Sequence, residues 1–153
     1  YLLKGEERKN LTNNIPFLQG YQGNICFYCA EKIEEGDCHV DHVLPRMVLN
    51  HDQIWNLVLA HSYCNMSKSD KLVGKHFMEK LIQRNENIMG SNHPWRHKIS
   101  SDLGRTKKLR ASNLLSHYEN VKSVLGNNYW FGTSSYNPQN DDFYKKLITR
   151  LNN

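Results

Sequence analysis

Residues 39–70 read HVDHVLPRMVLNHDQIWNLVLAHSYCNMSKSD, and two short strands followed by a helix can be laid along them. The first strand starts at Cys38, where alternation sets in after a turn at Glu35-Gly36-Asp37. The second is expected within IWNLVLAH, residues 54–61, a run that is apolar and partly β-branched. SYCNMSKSDK then has the polar start and basic end of a short helix. Two histidines flank Asp41 in the first strand. Strict alternation puts His39 on the face of Asp41 and turns His42 the other way. Pro45 discourages further pairing, so the strand is expected to end near Asp41, where a loop can bring His42 round to it.

The same stretch carries half of a metal-ligand pattern. Cys26-x-x-Cys29 and His61-x-x-Cys64 are two tight pairs with 31 residues between them. A tetrahedral Zn²⁺ takes four nitrogen or sulfur ligands, and an x-x spacing lets each pair grip the ion from one turn. A structural zinc held by Cys26, Cys29, His61 and Cys64 is therefore expected, and it would add folding free energy to a unit poor in strands. Two readings compete with it: a redox pair at Cys26 and Cys29, without the usual strand-to-helix context, and unliganded core thiols. Cys38 belongs to neither pair. It is read as a small packed side chain, with replacement of His61 as fourth ligand the alternative.

An Asp-His dipeptide (Asp41-His42), an apolar-Pro step, an Asn-Leu-Val-Leu strand from Asn56 and a Cys-Asn-x-x-Lys helix start at Cys64 together resemble the HNH endonuclease family. Thirteen residues separate His42 from Asn56, and eight separate Asn56 from Asn65. The resemblance covers roughly residues 22–71, and the HNH domains of restriction-type and RNA-guided CRISPR nucleases are similar. It implies an α+β fold with a ββα-metal core and a zinc knuckle, and hydrolysis of phosphodiesters in DNA, with RNA also open. By the same resemblance Asp41 and Asn65 hold a catalytic Mg²⁺ or Mn²⁺, His42 is the general base, and Asn56 braces the loop carrying Asp41 and His42. Asn65 stands where the family often has histidine, and His61 where it commonly has a second cysteine. Hard oxygen donors suit Mg²⁺, which keeps most of its positions for water and phosphate oxygens. Histidine suits proton transfer, because its ordinary pKa of about 6.5 lies near working pH. Arg46, Lys68 and Lys71 flank the constellation and are candidates for phosphate contacts. The competing reading is a zinc-stabilised module that binds nucleic acid without cutting it.

Outside that core the chain reads as helix. Residues 75–89 place Phe77, Leu81, Ile82 and Ile88 near one stripe and stop at Gly90. In TKKLRASNLLSHYENVKSVLG, Leu114, Tyr118, Val121 and Leu125 recur at helical spacing before Gly126. Phe143, Leu147 and Leu151 suggest a last helix, and NNYWFGTSSYNPQNDD before it reads as a surface loop with an aromatic anchor. LTNNIPFLQGYQG, residues 11–23, suits a short helix or turns leading into the cysteines. His76, His93, His97 and His117 show no ligand spacing. HPWRHK and GRTKKLR either lie on a nucleic-acid backbone or leave Trp95 in the core with exposed charges around it.

At 153 residues the chain is expected to form one domain, with residues 22–71 as its core and 75–153 as a mainly helical extension. It opens on Tyr1 rather than methionine, which suggests a piece of a longer protein whose missing part supplies targeting, as in restriction or anti-phage systems. No stretch is apolar enough for a membrane span or a secretory signal, so an intracellular, cytoplasmic location is expected. The net charge is +5, and the excess of lysine and arginine falls after residue 60. A basic segment beside an acidic one suits a polyanion held against a carboxylate-lined metal site, since Lys and Arg release counterions from phosphate.

Overall fold

A computed structural model describes residues 15–133, so the expected last helix around Phe143, Leu147 and Leu151 lies outside the described residues. The first element is helix α1, Ile15–Gln22. Strands β1, Cys38–His42, and β2, Leu57–His61, pair antiparallel, with Cys38 opposite His61 and His42 opposite Leu57. Between them lie the one-turn helix α2, Arg46–Leu49, and a 3-10 turn, Ile54–Asn56. Helix α3, Ser62–Lys68, completes the ββα unit. The start of the expected second strand thus forms a tight turn and only Leu57–His61 extends, because Asn56 turns back to the chain between the strands.

β2 is buried from Leu57 to Ala60, which means that both its faces and its outer edge need cover. Gln22, at the end of α1, closes that edge: its amide donates to Leu59 O at 2.9 Å and accepts from Leu59 N at 3.2 Å. Phe27 N also donates to Leu59 O, at 2.9 Å. A side-chain amide thereby does what a third strand would do. The cysteine knuckle folds back through Ala30 N donating to Cys26 O, with Ala30 at a positive φ of 63°.

The chain then forms β3, Leu72–Val73, and three helices: α4, Lys75–Met89; α5, Arg96–Leu103; and α6, Lys107–Leu125. α4 stops at Gly90 as expected, and the Thr106 side chain caps α6 by accepting from Leu109 N at 3.1 Å. Strand β4, Tyr129–Trp130, pairs parallel with β3. The expected surface loop therefore begins as a strand that closes a second small sheet. Its aromatic anchor is Trp130, stacked on Phe77 with centroids 5.4 Å apart and edge-on to Tyr28 at 5.0 Å. Trp95 also lies in the core, while Arg96, His97 and Lys98 beside it are exposed.

The α4 stripe holds more than apolar residues. Phe77, Met78, Leu81 and Ile88 are buried, and so are Lys80, Arg84 and Asn85. Arg84 donates to the carbonyls of Leu57, Ile54 and Trp55 at 2.7, 3.2 and 3.0 Å, and Asn85 to Trp55 O at 3.0 Å. Lys80 donates to Phe27 O. These carbonyls belong to the knuckle, the 3-10 turn and the first residue of β2, and the α4 donors answer them. Left without donors in the interior, each would cost about 1–3 kcal/mol.

Candidate functional site

Two sites lie at opposite ends of the β1–β2 hairpin. At the Cys38–His61 end, ligand atoms of Cys26, Cys29, His61 and Cys64 all lie within 4.8 Å of one another. Cys29 Sγ is 3.3 Å and Cys64 Sγ 4.0 Å from His61 Nδ1. Zn–S bonds of about 2.3 Å arranged as a tetrahedron need neighbouring ligand atoms about 3.8 Å apart, so the donor set fits such an ion. His61 Nε2 donates to Lys32 O at 2.7 Å; its ring proton is thus engaged there, and Nδ1 is the lone pair facing the sulfurs. Hydrogen bonds from Cys29 and Cys64 push the Cys26 thiol far below its ordinary pKa, and the hydrogen bonds with Cys26 and Cys29 push Cys64 up. Cys38, half-buried, is outside the cluster.

At the other end, Asp41, His42 and Asn65 line one open cavity of about 220 Å³ with Pro45, Arg46, Met47, Lys68, Ser69 and Asp70. β1 ends at His42, one residue past Asp41. The two side chains still meet one cavity, because it lies at the strand's last residue, where both faces are within reach. His39 is exposed and is not part of the lining.

The Asp41 carboxylate is buried, with the residue 7% exposed. It accepts from the Tyr28 hydroxyl and lies 3.4 Å from the Lys68 ammonium. Burial, with the Asp41 charge added, raises the Tyr28 pKa well above its ordinary value, so this hydroxyl keeps its proton and remains a donor. Lys68 is itself buried and also donates to His42 O, at 2.8 Å. On the imidazole of His42, Nε2 is 2.7 Å from Asp52 Oδ1, and Arg46 Nε donates to the same oxygen at 2.7 Å. Burial works against charge on Asp52, but the hydrogen bonds from His42 and Arg46 outweigh it and hold the carboxyl below its usual range.

Asn56 is fully buried and does not line the cavity. Its amide donates to Leu44 O and accepts from Leu44 N, both at 2.8 Å, and its own carbonyl accepts from Val43 N at 2.9 Å. The chain just after His42 is thereby tied to the start of β2. Lys71, half-buried, does not reach the cavity lining.

Residues 26–73 match a family model described as HNH endonuclease. Over these residues the chain is similar to HNH endonucleases. No curated protein matches the chain significantly. The HNH segment contains both sites, from Cys26 to Lys68, and ends with β3. Helices α4, α5 and α6 follow it in the chain, yet α4 supplies the donors for the HNH segment's buried carbonyls. Among the described residues no helix is long and apolar enough to cross a membrane.

Two residues of the HNH segment, Tyr28 and Asp52, are not singled out by the sequence. Tyr28 sits inside the Cys-x-x-Cys pair, where the intervening residues read as spacer. Asp52 is the one acid between His42 and Asn56, a signal visible in principle but silent about which histidine it meets. His51 and His117 flank the Trp55 ring, with His117 stacked on it at 5.1 Å.

Proposed function

We propose that the chain is a metal-dependent endonuclease that hydrolyses phosphodiester bonds in DNA at the Asp41–His42–Asn65 cavity. The observation that carries this reading is the meeting of an imidazole with two oxygen donors in one open cavity, inside a segment of the HNH family. His42 is the general base: it takes a proton from the attacking water, whose oxygen bonds to phosphorus while the bond to the leaving sugar oxygen breaks and that oxygen is protonated from solvent. Asp41 and Asn65 are the groups that would hold a Mg²⁺ or Mn²⁺ ion, which supplies neutralisation of phosphate charge and a more acidic water. Zn²⁺ is the fitting ion for the Cys26, Cys29, His61 and Cys64 cluster, with a structural role. Arg46 and Lys68 place positive charge at the cavity, where the phosphate would lie. A restriction or anti-phage setting, with targeting supplied by sequence beyond this chain, is the biological reading that goes with it.

Plasmid nicking tests the proposal. Wild-type protein with Mg²⁺ or Mn²⁺ should nick supercoiled DNA, and His42→Ala should be slower by about 100-fold or more, the range for loss of a general base. Equal rates for the two proteins would leave a module that binds nucleic acid without cutting it.

A further inference from the structure

We propose that Asp52 is a positioning residue for His42, holding its ring in the tautomer that can take a proton. This rests on the nuclease reading of the cavity. Asp52 lies on the connection between α2 and the 3-10 turn, ten residues after His42, and its Oδ1 meets two donors at once: His42 Nε2 and Arg46 Nε, each at 2.7 Å. An ionised carboxylate can only accept, so the Nε2 nitrogen of His42 carries the ring proton. Nδ1 is then the basic nitrogen, and it is the atom left to accept the proton from water.

The geometry constrains the residue from both sides. Lys68 Nζ donates to the His42 carbonyl at 2.8 Å and fixes the backbone, while Asp52 fixes the ring. Arg46 keeps Asp52 in place and helps to hold it ionised, so that the negative charge is present when His42 becomes an imidazolium. A neutral acceptor in the same position would orient the ring but would not stabilise the positive charge that forms on it. The side chain of Asp52 is 30% exposed, so the oxygen serves His42 without the cost of deep burial, and its replacement leaves no buried cavity.

The full zinc-loaded chain, as wild type, His42→Ala, Asp52→Ala and Asp52→Asn, gives the test. Long-range proton–nitrogen correlation spectra report the tautomer of each histidine, and His42 is assigned by its absence from His42→Ala. The wild type should show His42 protonated at Nε2, and Asp52→Ala should show loss of that preference. In nicking assays Asp52→Ala should lower kcat by about tenfold or more with KM within about twofold, the lower bound being the scale for removing an outer partner that orients a functional side chain. Asp52→Asn, which offers no charge to the imidazolium and can turn its amide NH2 to the ring, should stay well below the wild-type rate. An active wild type, a dead His42→Ala and an Asp52→Ala with unchanged kcat or unchanged tautomer would overturn the proposal. Equal rates for wild type and His42→Ala would overturn instead the nuclease reading beneath it.

Discussion

The two ends of one hairpin, with strands of five residues each, are built on opposite principles. At the Cys38–His61 end, four nitrogen and sulfur donors converge, three of them on buried cysteines, and the imidazole proton among them is engaged by Lys32 O. At the His42–Leu57 end, oxygen donors and an imidazole line a cavity open to solvent, with Asp41 held by Tyr28 and Lys68, and His42 by Asp52. A closed set of four ligands would satisfy a metal completely and so suits structure; an open set would leave positions for water and substrate and so suits chemistry. An open site cannot brace itself, so its rigidity comes from outside. Its side chains are aligned by the knuckle, the α2 loop and α3, and the closed end lies on the knuckle that carries Tyr28.

Removing the closed end should therefore have the largest effect. Cys64→Ser, or exhaustive chelation of zinc, should abolish cooperative melting, since a structural zinc contributes about 10 kcal/mol or more to a small unit built around it. Calorimetry and zinc content measured together check this, and a melting curve that ignores zinc would erase the distinction between the two ends. A smaller, local loss is expected from Asn56→Ala. It strips both side-chain hydrogen bonds from Leu44 and should cost about 3 kcal/mol by urea unfolding, with nicking reduced and zinc content intact. Retention of both stability and rate would mean that the open end holds its loop without Asn56.

Tyr28→Phe should have the smallest effect on stability, and it tests the link between the two ends. The ring keeps its place between Phe77 and Trp130, so the loss should be that of one hydrogen bond to a carboxylate, about 2 kcal/mol. Asp41, however, loses the hydroxyl that orients it. Mn²⁺ titrated into the zinc-loaded variant should bind about tenfold more weakly, the scale for removing an outer partner of a metal ligand. Unchanged Mn²⁺ affinity would show the two ends to be independent.

Much of this molecule is legible in its sequence. The paired ligand spacings point to the cysteine–histidine cluster, because chelation from one turn depends on separations of two or three residues. Helices α4 and α6 follow from periodicity and their terminal glycines. Partners distant in sequence are not legible in this way. β3 and β4 are two residues each and parallel, too short to carry a pattern. Arg84, Asn85 and Lys80 fall outside the apolar residues that mark α4 in the sequence, yet all three are buried against the HNH segment. A donor on a helix shows its type in sequence but not the carbonyl it will meet.

The ligand types and their spacing, the Asp-His step beside Pro45 and helices α4 and α6 are all written in the order of the residues. Those features are local: chelate geometry, strand alternation and helical period act over a few residues. Which histidine stands beside Asp41 in the cavity, which acid stands behind it, and which helix answers the carbonyls of the 3-10 turn are settled by packing instead. Each depends on where a strand ends and on atoms brought within about 3 Å of each other from separate elements, and hydrogen bonds at that range follow the packed fold rather than the order of the chain.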